Sequence, residues 1–85
     1  MATLYLMPSF SRKILVPDKG VFDFHYDRIH TVSGTQYFIL VNNNRVYHRF
    51  RMQQKEGLWV LVDTEKIPDW ILQLEVELAN AILRH

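Results

Sequence analysis

Between Asn44 and Lys55 the polar and aromatic-polar side chains Arg45, Tyr47, Arg49, Arg51, Gln53 and Lys55 take every second position, and Val46, His48, Phe50 and Met52 fill the positions between them. A period of two is that of a β-strand, with successive side chains on opposite faces. This segment therefore predicts a strand with one apolar face and one basic face. A strand of this kind needs neighbours on both sides of its hydrogen-bond ladder and a cover for its apolar face, so the rest of the chain is read for both.

Strand and turn signals flank it. Residues 12–16 and 21–26 read as strands joined by Pro17-Asp18-Lys19-Gly20, where proline presets φ and glycine accepts a left-handed conformation. In "VFDFHY", Phe22, Phe24 and Tyr26 share one side, and Val21, Asp23 and His25 the other. Ser33-Gly34 marks the next turn, and "TQYFILV" is apolar on both sides, as in a central strand. The Asn42-Asn43-Asn44 cluster then turns the chain, because Asn tolerates the positive φ of a tight hairpin. "LWVLVD" follows Lys55-Glu56-Gly57 as a further strand. Pro68 and Asp69 open a helix over "PDWILQLEVELANAILRH". The fold class expected is α+β: an antiparallel β-meander of about five strands with the C-terminal α-helix packed on one face. At 85 residues this is a single domain, 1–85.

Turn geometry extends to faces. A two-residue turn at Asn43-Asn44 sets Val41 opposite Val46 and Ile39 opposite His48. A three-residue loop at Lys55-Glu56-Gly57 sets Phe50 opposite Val62 and Arg49 opposite Asp63. One face then gathers Tyr37, Ile39, Val41, Val46, Phe50, Met52, Val60 and Val62, with His48 among them, as the core. The other gathers Phe38, Leu40, Tyr47, Arg49, Arg51, Trp59, Leu61 and Asp63. A slip of one residue at a turn exchanges these sides.

The helix is apolar over most of its circumference. Gln73, Glu77, Asn80 and Arg84 form a narrow polar sector; Trp70, Ile71, Leu74, Leu78 and Ile82 make one apolar flank, and Leu72, Val76, Ala79 and Leu83 another. Leaving the second flank wet forgoes about 1.5 to 3 kcal/mol for each large side chain, against a total stability of about 5 to 15 kcal/mol. Two covers fit: a strongly curved sheet that wraps the helix, or a second subunit. The partner expected at Leu72, Val76, Ala79 and Leu83 is a second copy in a homodimer.

Phe38, Tyr47, Arg49, Arg51 and Trp59 form the second candidate surface. Rings on which bases stack beside cations that follow phosphates suit single-stranded nucleic acid. The plainer account is that Arg49 pairs with Asp63, the Arg stems cover Leu61, and the aromatics meet another subunit, so that self-association runs through the helix flank, this aromatic sheet face, or both. A pI near 8.1 lies below that of strongly basic nucleic-acid binders, which favours the plainer account. The layout of a meander closed by a helix with two apolar flanks, over residues 12 to 85, is similar to that of the Pur-type single-stranded nucleic-acid-binding repeats, which dimerise through such elements. The resemblance is one of layout, and it assigns no binding residue.

Charge and composition narrow the remaining classes. From Arg28 to Lys55 there are five Lys or Arg and no acid; from Glu56 to His85 six acids stand against Lys66 and Arg84. A positive middle and a negative end can pair within or between chains. With no cysteine there is no disulfide, thiol nucleophile or thiolate metal site. Asp23, His25 and Asp27 alternate along one strand about 6.5 to 7 Å apart, too far to converge on one ion. His30 and His85 read as surface residues. Ser9, Ser11 and Ser33 lack a nucleophile elbow, and Gly20, Gly34 and Gly57 are scattered turn residues rather than a phosphate loop. The expectation is a non-catalytic protein with no metal or cofactor. "MATLYLMPSFSRK" has no basic residues before its apolar run and is cut by Pro8, and no segment nears the ~20 apolar residues of a membrane span. The expected location is the cytoplasm, away from membranes.

Overall fold

The computed structural model describes residues 9–85. The apolar run before Pro8, which bears on the expected location, lies outside the described residues. Five strands, β1 (Ser9–Val16), β2 (Gly20–Thr31), β3 (Gly34–Asn43), β4 (Val46–Lys55) and β5 (Leu58–Leu61), form one antiparallel sheet in sequence order. A 3-10 turn at Thr64–Lys66 leads to two helical pieces, α1 (Asp69–Leu72) and α2 (Glu75–Arg84). The architecture is the α+β meander that the alternation predicts.

Turn chemistry sets the pairing. Val16 and Gly20 bracket Pro17-Asp18-Lys19, closed by Lys19 N–H donating to the Val16 carbonyl at 3.0 Å, with Asp18 at φ 66°. The β3–β4 turn uses Asn44 (φ 52°) and Arg45 (φ 71°) rather than Asn43-Asn44. Two positive φ values in sequence are the mark of a hairpin turn that matches strand twist. Moving the turn by one position shifts each partner by two and leaves the faces unchanged: Val41 lies opposite His48, Ile39 opposite Phe50, and Tyr37 opposite Met52. The last two pairs are buried apolar couples, and their packing outweighs the local preference of Asn43 for the turn.

The β4–β5 connection departs further from expectation. It is a two-residue turn at Glu56 (φ 52°) and Gly57 (φ 84°), not a three-residue loop, so Lys55 pairs with Leu58 and Met52 with Leu61. Every β5 side chain changes sides relative to the expected register. Leu61 and Trp59 turn to the helix-bearing face, while Val60, opposite Gln53, turns outward. The tighter turn puts the two larger apolar residues where they can be covered. Beyond the end of β5, Asp63 bends into a left-handed conformation and meets Arg51 rather than Arg49.

The predicted helix breaks at Gln73-Leu74. Leu74 N–H donates to the Ile71 carbonyl, three residues back, at 2.9 Å, and α2 restarts with Leu78 N–H on the Leu74 carbonyl at 2.8 Å. The Glu75 carboxylate accepts from the Leu61 N–H at 2.8 Å, tying the start of α2 to the outer edge of β5. Helix and sheet bury one apolar cluster: Ile14, Val16, Phe24, Tyr26, Tyr37, Ile39, Val41, Phe50, Met52 and Leu61 from the strands, and Ile67, Ile71, Leu74, Leu78, Ala81 and Ile82 beneath them. Tyr26 donates its hydroxyl to the Leu78 carbonyl at 3.0 Å across this core. The sheet curls so that α2 has β5 along one flank and Arg12, Lys13 and Ile14 of β1 along the other. Among the described residues no helix is long and apolar enough to cross a membrane.

Candidate functional site

The curl of the sheet covers part of the second helix flank. Leu72 and Ala79 pack against the core, whereas Val76 and Leu83 remain 67% and 69% exposed. Val76 and Leu83 are seven residues apart and so lie on one line of the helix. Beside them runs a groove of about 270 Å³ between α2 and β5, with Trp59 and Ala79 in its walls and Leu58, 67% exposed, on its rim. Alternation alone gives Leu58 no special place. Its position directly after the hairpin turn, at the start of a four-residue edge strand, is the signal that marks it.

On the opposite face, Phe38, Tyr47, Arg49 and Arg51 stand together as the alternation predicts. Phe38 lies opposite Arg51, Leu40 opposite Arg49, and Asn42 opposite Tyr47. Trp59 is not with them. Its ring meets Tyr37 edge-on at 5.2 Å on the helix side, so the outer face presents two of the three expected rings.

Arg51 is held at both ends of its guanidinium: Nη1 donates to Gln36 Oε1 at 3.0 Å and Nη2 to Asp63 Oδ2 at 2.7 Å. The hydrogen bond from Arg51, and then its charge, hold the Asp63 carboxyl below the ordinary carboxylate range. Gln36 is 8% exposed, and among the described residues it is the polar side chain buried in this sheet. Asp63 sits at φ 54° where β5 gives way to the 3-10 turn. Its strained backbone conformation is fixed by the Arg51 bond. The sequence hint of this chain was Gln36 itself, an amide inside an otherwise apolar strand.

Farther along the outer face, exposed pairs cross from β1 to β2: Lys13 Nζ to Asp23 at 3.1 Å, and Ser11 Oγ with His25 Nδ1 at 3.2 Å. His25 Nε2 lies 3.2 Å from Asp27. These side chains satisfy one another along the surface, and among the described residues no three His, Asp or Glu side chains gather as a metal site would require. His48 stands at the sheet margin with its ring edge-on to Trp70 at 5.6 Å. Comparison with protein-family models, with curated proteins and with solved structures finds no match to this chain.

Proposed function

We infer that the chain is a small cytoplasmic, non-catalytic interaction module that pairs with a second copy of itself through the exposed flank of α2. The observation that carries this reading is the pair Val76 and Leu83 left open on α2 beside a groove walled by Trp59 and Ala79. Burying such side chains supplies the apolar driving force for association. A second copy suits the charges of the same helix. α2 has Glu75 and Glu77 in its first turn and Arg84 in its last. Among the described residues neither Glu77 nor Arg84 has an ion-pair partner. A two-fold, antiparallel pairing of α2 sets Val76 against Leu83 of the other copy and brings each Glu77 toward the opposite Arg84.

Sedimentation across a concentration series tests the reading. A dimer that Leu83→Glu or Val76→Glu dissociates is expected. Glu77→Arg and Arg84→Glu should each weaken the dimer, and mixing those two variants should restore it. A wild-type chain that stays monomeric at about 1 mM, a concentration where even weak pairing registers, removes the basis of the proposal.

Single-stranded nucleic-acid binding is the second reading, favoured by the company of Phe38, Tyr47, Arg49 and Arg51 on one outer face. With Trp59 on the other side, stacking falls to Phe38 and Tyr47. A labelled oligonucleotide should then gain anisotropy in low salt, and Arg49→Ala should reduce the dependence of affinity on salt. No gain at low ionic strength would eliminate this reading.

A further inference from the structure

β5 pairs with β4 only over Met52–Lys55, so β4 runs on toward Val46 without it, and residues 62–67 cross where β5 leaves. That crossing opens a cleft of about 280 Å³ at the uncovered edge of β4, floored by the core residue Phe50. Phe38, Val62 and Ile67 supply apolar wall, and Arg49 and Lys66 stand at its rim with the Arg51–Asp63 pair. A second hollow of about 250 Å³ lies on the other side of Phe38 and Arg49, bounded by Leu40 and Asp27.

We propose that this cleft binds a flat apolar ring bearing an anionic group, with the ring against Phe38, Val62 and Ile67 and the anion between Arg49 and Lys66. Three observations converge on that class of ligand. The volume suits one or two fused rings and little more, below the range of drug-sized pockets. The charges of the main cleft are already sorted: Asp63 is neutralised by Arg51, while among the described residues Arg49 and Lys66 have no ion-pair partner. A cationic guest would find no free carboxylate in the main cleft, and an anionic one finds two free cations. The far wall is also built in advance, because buried Gln36 positions Arg51 and Arg51 positions Asp63 at the turn. Little ordering then remains to be done on binding, which favours a small ligand. The cleft shares no lining residue with the groove beside α2, so the proposal is independent of self-association.

The test is an amide chemical-shift titration of the isotope-labelled protein with three probes: naphthalene-2-carboxylate, adenosine 5′-monophosphate, and naphthalen-2-ylmethylamine as a cation with the same ring. A saturable shift confined to residues 36–40, 49–51 and 62–67 is expected with at least one anion, with a Kd on the order of 1 mM. The amine should give none. Response to the carboxylate alone assigns the cleft to aryl acids, response to the nucleotide alone assigns it to nucleotides, and response to both means ring plus anion is all that is required; each supports the proposal. Arg49→Ala and Lys66→Ala should each weaken binding about three- to ten-fold while the dispersed spectrum of a folded chain is kept. Leu83→Glu should leave it unchanged. The proposal is overturned if the amine binds as well as the anions, if neither anion saturates by about 20 mM, or if the shifts centre on Leu58, Val76 and Leu83.

Discussion

The phenol of Tyr26 reaches through the core to the Leu78 carbonyl, and its ring lies parallel to that of Phe10 at 4.5 Å. Burial raises its pKa far above the ordinary value of about 10. A group whose pKa is raised by folding stabilises the fold below its unfolded pKa and loses that contribution as pH climbs, so stability should fall from about pH 10 upward. Tyr26→Phe keeps the ring and removes the hydroxyl. It should cost about 1 kcal/mol and lower the melting temperature by about 4 to 8 °C. It should also flatten the alkaline loss, and a thermal melt at pH 7 and pH 11 reads both effects. An unchanged melt would mean the bond contributes nothing net. Tyr26 was assigned to the apolar side of its strand by alternation, but its bond to a helix carbonyl 52 residues away depends on how the helix lies, which no local pattern encodes. The same holds for Arg51. Its face was legible, whereas its bond to Asp63 depends on the left-handed bend just beyond β5.

Elements divide by how local their causes are. The first hairpin was visible because Pro17 fixes φ and Gly20 accepts a positive φ by themselves. The β4–β5 turn was not, since it needs Glu56 at φ 52°, a conformation with no side-chain signal in a glutamate. What selects it is the burial of Leu61 and the partial covering of Trp59 after the chain has folded. That single residue of register moved one ring off the expected aromatic face. The helix was evident from its apolar period, and its break at Gln73-Leu74 was not, because no proline or glycine marks it; beside the break Glu75 bonds the Leu61 N–H, a contact 14 residues away in sequence. Glu75→Ala should free that edge amide. Native-state hydrogen exchange at Leu61 is expected to quicken by about ten-fold, with a stability loss of about 1 kcal/mol. Glu75→Gln, which retains an acceptor oxygen, should recover most of the protection. Exchange at Leu61 unaltered in the alanine variant would show that solvent serves the amide equally well.

For the molecule as a whole, the sequence allowed either a wrapped helix or a second subunit as the cover for the α2 flank. The curl of the sheet accounts for Leu72 and Ala79 and leaves Val76 and Leu83 uncovered, so wrapping alone does not complete the task. The layer consequently has two different sides: one apolar and partly finished by α2, the other polar, with a cleft where β5 stops short. Trp59 and Trp70, the two tryptophans of the chain, both belong to the first side, packed near Tyr37 and Phe22. Tryptophan emission thus watches one side of the layer. A screen that relies on it would register assembly at α2 and stay dark to any small molecule seated beside Phe38.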